Sequence, residues 1–185
     1  MKDYLKKFST IGCCGIDCGL CPRFYTKGSS ACPGCGGLNF KEKHPSCGFL
    51  TCSVIKKGLE VCADCNDYPC SRFDSESEGF DSFVTHRNVF PNLDSIQKNG
   101  IAPFLDQQKI RIDILNFFLA HYDDGRSKSY YCICCTLLPL DELQKIKMSG
   151  FENITDLKER SVQIKAMLSS LAKELNINLK LNFKK

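Results

Sequence analysis

Cysteine is the residue type in this chain with the most chemistry to offer. The chain has 185 residues and 14 cysteines, and eleven of these lie between Cys13 and Cys70. The N-terminal residues contain no apolar signal-peptide core, so we expect a cytoplasmic location, where thiols stay reduced. Dense cysteines in a reducing compartment favour metal ligation, and disulfides are the alternative.

The spacing of the cysteines is typical of metal ligands. Two residues between two cysteines let both sulfurs reach one ion, while N–H groups of the turn stabilise the sulfur charge. The segment Cys32-Pro-Gly-Cys35-Gly is the most specific element, and its last glycine permits the positive φ that such a knuckle needs. It fits a zinc ribbon and a rubredoxin-type iron knuckle equally well. The candidate metal ligands are Cys14, Cys18, Cys21, Cys32, Cys35, His44, Cys47, Cys52, Cys62, Cys65, Cys70, Cys132 and Cys135.

Two segments share the spacing ligand-x2-ligand-x4-ligand, which indicates an internal repeat. The first copy is His44, Cys47 and Cys52, and the second is Cys62, Cys65 and Cys70. A histidine among cysteines favours zinc, because structural zinc sites use four Cys or three Cys and one His. We therefore expect two or three Zn²⁺ sites.

An iron–sulfur centre is the main alternative to zinc. Cys14, Cys18 and Cys21 have the Cys-x3-Cys-x2-Cys spacing that radical-SAM enzymes use for a 4Fe–4S cluster. The chain is shorter than the roughly 250 residues of a full barrel, and no strand–helix alternation follows the motif. Free or redox-active thiols are a third interpretation, to which the adjacent pair Cys13-Cys14 points.

The three late cysteines have two interpretations. Cys132 and Cys135 have ligand spacing and would tie the second half of the chain to the metal sites. Alternatively, they are small buried apolar residues in an otherwise apolar segment. Cys13 and Cys134 lie outside the ligand spacing that the other cysteines follow.

The elements around the cysteines predict an α+β protein of two parts. Residues 1–75 form a loop-rich module stapled by metal, and residues 76–185 form an α-rich module with a short strand. Apolar spacing predicts a helix from Phe80 to Phe90 interrupted by Pro91, and a short helix capped by Asn92. Further helices are expected over 101–122, from Leu140 and from Thr155. The period-2 alternation from Ile177 to Lys184 predicts the strand.

The cysteine motifs resemble a known family. The segment Cys14-Gly-Ile-Asp-Cys18-Gly-Leu-Cys21-Pro, the Cys32–Cys35 knuckle and the segment from Cys52 to Cys70 are similar to the domain-of-unknown-function family numbered 3795. The resemblance covers roughly residues 14–73, and His44 departs from the cysteine expected there. It implies a metal-binding module in a prokaryotic, intracellular protein with no assigned activity.

The sequence favours binding over catalysis. It identifies no catalytic residues and no nucleotide-binding motif, and the expected metal sites look closed. The expected partner is another protein. Nucleic acid has weak support, because residues 76–185 hold 15 Lys and Arg against 14 Asp and Glu. No apolar run is long enough to span a membrane. The polar segment Asp124–Tyr130 is interpreted either as an anion-binding loop or as a solvated turn.

Overall fold

The structure is a computed structural model that describes residues 5–44, 46–74, 79–151 and 154–184. It contains two compact units. The first comprises Met1–Gln107 with Leu181–Lys185, and the second comprises Gln108–Lys180. This division lies further along the chain than the predicted one after residue 75.

The first unit begins with irregular backbone interrupted by short helical segments. The 3₁₀ turns are Cys18–Leu20, Cys62–Asp64 and Ser71–Phe73. The helices are α1 (Phe40–Lys43), α2 (Gly48–Leu50), which continues as a π-helical stretch over Thr51–Lys56, and α3 (Val89–Asn99). The first residues of α4 (Ile101–Tyr122) also belong to this unit.

Helix α3 begins at Val89, and the predicted helix over Phe80–Phe90 is wrong. Pro91 is the third residue of α3, where a proline is tolerated because the first backbone N–H groups of a helix have no intrahelical partner. Asn88 is the N-cap residue. The predicted cap, Asn92, instead donates its amide to the Gly15 carbonyl and to Asp17 Oδ2, both at 2.9 Å.

An apolar core joins α3 to the cysteine-rich segment. Val89, Leu93 and Ile96 of α3 pack in one cluster with Val61 and Phe73, and all five side chains are almost completely buried. Burying aliphatic and aromatic side chains of this size stabilises a fold by about 1.5–3 kcal/mol each. The first 75 residues are therefore held partly by a helix that lies outside them.

The second unit is built from helices. They are the remainder of α4, α5 (Lys128–Leu137), α6 (Leu140–Met148) and α7 (Leu157–Glu174). The predicted helices over 101–122, from Leu140 and near Thr155 are confirmed. The N-cap of α7 is Asp156, whose Oδ1 accepts the Glu159 N–H at 2.8 Å. In the described parts of the chain, no helix has the length and apolar character needed to cross a membrane.

The predicted strand over Ile177–Lys184 is wrong, and with it the α+β class. The part of the chain that the structure describes is all-α. A strand needs a continuous ladder with a neighbouring strand, but the tail makes isolated hydrogen bonds. The Ile177 N–H donates to the Ala172 carbonyl, the Asp81 N–H donates to the Asn182 carbonyl, and the Asn182 N–H donates to Asp81 Oδ2. The alternating apolar residues of the tail therefore do not indicate a sheet.

Candidate metal centre

Four cysteines line one cavity of about 100 Å³ in the first unit. We call this cavity the thiol pocket; its cysteines are Cys52, Cys62, Cys65 and Cys70. Three of them form the second copy of the predicted repeat. Cys52 comes from the first copy, so the structure combines the two copies instead of giving each its own site. The aromatic rings of Phe49, Tyr68 and Phe73 also line the cavity.

A lysine contacts one of the pocket sulfurs. Lys57 Nζ lies 3.0 Å from Cys65 Sγ and 2.6 Å from Asp67 Oδ2. The hydrogen bond to Asp67 and that to Cys65 raise the pKa of Lys57, so its ammonium is retained. The hydrogen bond from Lys57, and then its positive charge, lower the pKa of Asp67. A positive charge at this distance stabilises a thiolate and a thiolate–metal bond.

A second group of thiols lies deeper in the unit. We call it the buried thiol cluster; its cysteines are Cys13, Cys18, Cys35 and Cys47. Cys13 is completely buried and Cys35 nearly so, and they pack with Phe40 and Leu50. The Cys13 and Cys35 sulfurs are 4.0 Å apart. Sulfurs bound to one tetrahedral zinc lie about 3.8 Å apart, given Zn–S bonds of ~2.3 Å.

Cys13 connects the buried thiol cluster to the thiol pocket. Its thiol is in hydrogen-bond contact with Cys35 and with the pocket residue Cys62, and these two contacts raise the pKa of Cys13. The contact with Cys13 in turn lowers the pKa of Cys35 and of Cys62. The backbone reinforces the link, because the Cys62 N–H donates to the Cys13 carbonyl at 2.7 Å. A lowered pKa favours the thiolate, which is the form that ligates metal.

A buried ammonium lies near both groups of thiols. The Lys6 side chain is completely buried and pairs with Glu60 Oε1 at 3.3 Å. Glu60 also accepts the Phe8 N–H at 2.7 Å, which fixes its carboxylate. The Lys6 charge contributes to lowering the pKa of Cys35 and of Cys62, after the hydrogen bonds from Cys13. The sequence offered no signal for this pair, since Lys6 and Glu60 are 54 residues apart.

The knuckle around Cys35 has the predicted backbone. Gly36 has a φ of 64°, which glycine adopts without strain. A Cβ atom at this position would lie 2.9 Å from Lys6 Cγ, so the glycine also makes room for the buried lysine. The Cys35 N–H donates to the Ser9 carbonyl at 2.8 Å, which holds the knuckle against the first residues of the unit.

Three further candidates from the first motifs lie near these groups. The Cys32 N–H donates to the Arg23 carbonyl at 3.0 Å, and this places Cys32 beside Cys21. Burial, and then repulsion from Cys32, raise the pKa of Cys21. Cys14 is buried in the apolar core with Val61.

The other predicted ligands have different surroundings. The His44 ring stacks on Phe40 with a centroid distance of 4.6 Å and is not among the residues that line the thiol pocket. Cys132 and Cys135 are buried in helix α5 of the second unit, beside Cys134. Burial raises the pKa of Cys135, and it raises that of Cys134 to about 12. The ligand role of Cys132 and Cys135 stays a prediction.

The thiols do not already converge on a point. Within residues 5–44, 46–74, 79–151 and 154–184, no three His, Cys, Asp or Glu side chains are arranged to hold a metal ion together. The donor chemistry nevertheless suits zinc or iron, because four cysteine sulfurs line the thiol pocket, together with the Asp67 carboxylate.

The segment Asp124–Tyr130 has the geometry of a turn. Asp123 and Asp124 accept the N–H groups of Gly125, Arg126 and Ser127 at 3.0–3.1 Å. Asp124 also accepts the Ser127 hydroxyl and pairs with Lys165 at 3.3 Å. The backbone donors are thus used within the turn, and the turn leads into α5 rather than into a strand.

The comparison with known families covers the residues just described. Residues 10–75 match the family described as Protein of unknown function (DUF3795). The resemblance carried by the cysteine motifs is therefore confirmed, and the match contains both the thiol pocket and the buried thiol cluster. Neither a curated protein nor a solved structure matches the chain.

Proposed function

We propose that the first unit is a zinc-binding module whose primary site is the thiol pocket. The observation that carries this proposal is the set of four cysteines, Cys52, Cys62, Cys65 and Cys70, around one cavity. Four thiolates complete the closed tetrahedral shell of a structural zinc ion. The Lys57 ammonium lies 3.0 Å from Cys65 Sγ, where it would offset part of the negative charge of a zinc–thiolate site.

Zinc bound there would stabilise the fold. The Cys-rich segment is irregular and its helices are short, so it has little regular structure of its own. Structural zinc supplies folding free energy to segments of this kind, and four thiolate ligands leave no open position for catalysis. We therefore propose a binding role for the protein rather than a catalytic one.

A protein is the partner class that fits the net charge of the zinc-loaded chain. A Zn²⁺ ion held by four thiolates carries two net negative charges, so two such sites would cancel the formal charge of +4. A neutral surface lacks the long-range attraction that polyanionic nucleic acids require. We propose another protein as the partner and a cytoplasmic location.

A 4Fe–4S cluster is the second candidate for the thiol pocket. Its support is that the four thiols surround a cavity lined by Phe49, Tyr68 and Phe73 instead of contacting one another at a point. Polynuclear clusters occupy such space and are bound by four cysteine thiolates. Bound there, a cluster would supply one-electron chemistry.

The test is elemental analysis of protein purified without oxygen, combined with its visible spectrum. We expect colourless protein that contains zinc, and Cys52→Ser and Cys65→Ser should each lower the zinc content by one equivalent. Brown protein with iron and sulfide would instead support the 4Fe–4S candidate. Folded protein without any metal would overturn both proposals.

Matched controls come from the second unit. Cys134→Ser changes a buried cysteine outside the candidate sites and should leave the metal content unchanged. Cys132→Ser and Cys135→Ser test the predicted tie between the two halves of the chain. Because both residues lie in helix α5 with buried side chains, we expect these variants to retain the full metal content.

A further inference from the structure

A second cavity, in the second unit, combines aromatic rings with positive charge. Its volume is about 300 Å³, at the lower end of the range for small-molecule sites. Phe117 and His121 of α4, Lys147 of α6, Arg160 of α7 and Phe151 contribute to its lining. We call it the cationic pocket.

The charges in the cationic pocket are of one sign. Lys147 and Arg160 are cationic, and no Asp or Glu of the described residues is among those that line the cavity. Lys147 Nζ lies 5.2 Å above the Phe117 ring, and this ring also packs against His121 with a centroid distance of 4.6 Å. Aromatic packing thus holds the ammonium at the cavity.

Arg160, which lines this cavity, has an unused donor. Its Nε atom is buried and has no hydrogen-bond partner among the described residues. Leaving a buried polar group without a partner costs free energy, and more when the group is charged. An anion that reached this Nε from the cavity would remove that cost, and a guanidinium is well suited to planar oxyanions.

We propose that the cationic pocket binds a small organic anion that joins an aromatic ring to a carboxylate or a phosphate. The oxyanion would accept hydrogen bonds from Arg160 and Lys147. The ring would pack against Phe151 and Tyr122, which also line the cavity. The site lies outside the segment that matches the family and does not depend on the proposed metal site.

The test is a ¹H–¹⁵N NMR titration of the full-length, metal-loaded protein with four probes. Benzoate and phenyl phosphate carry both parts of the proposed ligand, inorganic phosphate carries the anion alone, and benzyl alcohol carries the ring alone. We expect saturable shifts at His121, Lys147 and Arg160 with benzoate or phenyl phosphate, and the stronger of the two identifies the anionic group. Equal binding of benzyl alcohol, or no saturable shift with either anion, would overturn the proposal.

Variants on the same helix supply the control. Arg160→Gln should weaken binding of the preferred probe by at least about tenfold, as expected for loss of a charge-assisted hydrogen bond. Lys158→Gln removes an exposed charge two residues away and should leave binding unchanged. If Arg160→Gln does not fold, Lys147→Gln gives the same comparison. Unchanged affinity in the folded variant would overturn the proposal.

The chain's own acidic residue next to Phe151 needs a separate variant. Glu152 adjoins Phe151 in the sequence, and its carboxylate is an alternative to an added anion as the partner of Lys147 and Arg160. Glu152→Gln should bind the probe no more than slightly better than the unaltered protein. Binding that appears only in this variant would show that the Glu152 carboxylate pairs with the cations of the pocket in the unaltered protein, and would overturn the proposal.

Discussion

The sulfurs of Cys13 and Cys35 lie 4.0 Å apart, although 21 residues separate them in the chain. The Cys13 N–H also points to the Cys35 sulfur, at 3.5 Å. Cys13 is extra to the spacing pattern, whereas Cys35 belongs to the most specific motif. Their proximity makes Cys13 a candidate ligand that the spacing alone does not identify.

Removing either thiol of this pair should therefore remove the same metal ion. We expect Cys13→Ser and Cys35→Ser each to lower the metal content by one equivalent, and the double variant to lower it by no more. Elemental analysis against protein concentration measures this. Loss of two equivalents in the double variant would mean that the two sulfurs serve different ions.

Lys57 should tune the affinity of the thiol pocket. Lys57→Met removes the ammonium 3.0 Å from Cys65 Sγ, and outer-shell partners of metal ligands typically contribute about 10–100-fold in affinity. We expect at least a tenfold weaker zinc affinity in competition with a chelator. Lys57→Arg should recover part of it.

Lys56→Met is the matched control for this experiment, because it removes a neighbouring exposed lysine. Its affinity should equal that of the unaltered protein. An equal loss in both variants would assign the effect to net charge rather than to the contact with Cys65.

Chelation should loosen α3 together with the cysteine-rich segment. Leu93 and Ile96 pack against Val61 in the same core, so loss of the metal should expose this helix. We expect hydrogen exchange at the amides of Leu93 and Ile96 to accelerate strongly on chelation. The amides of Ile164 and Leu168, buried in α7 of the second unit, should keep their protection. Simultaneous loss of protection in both helices would contradict two separate units.

Tyr131 should make the second unit sensitive to alkali. Burial raises the pKa of Tyr131 to about 12, against an unfolded value near 10. The folded state then holds its proton more tightly, so this contribution to stability is complete below about pH 10 and is lost as the pH rises toward 12. Its hydroxyl donates to the Tyr122 carbonyl at 3.0 Å.

Tyr131→Phe provides the measurement. At pH 8 we expect it to destabilise the protein by about 1 kcal/mol in urea unfolding, from the lost hydrogen bond. At pH 11 the difference should shrink, because the unaltered protein alone has a buried phenol that must stay protonated. A constant difference across this range would show that Tyr131 does not titrate on unfolding.

Helical periodicity was a reliable guide where one face of the helix is exposed. The apolar spacing predicted α4, α6 and α7 because their polar residues alternate with buried ones. It missed α5, since Tyr131 to Thr136 are all buried and leave no amphipathic pattern over those residues. The alternating tail predicted a strand, but a pattern of side chains cannot supply the neighbouring backbone that a ladder needs.

The sequence indicated the cysteines of the candidate metal centre, but it could not indicate which of them lie together in the fold. Spacing describes which thiols are close along the chain, and Cys62, Cys65 and Cys70 do line one cavity. It cannot show that Cys52 joins them while Cys47 packs against the buried thiol cluster, because that depends on the long-range fold. Lys6 and Lys57 were missed for the same reason.

The packing of α3 on Val61 and Phe73 reaches beyond the segment that matches the family. The segment shared with the family ends at residue 75, yet its apolar side chains are covered by residues 89–96. The unit of sequence similarity is thus smaller than the unit that folds. The segment excised at residue 75 would expose this apolar surface and self-associate.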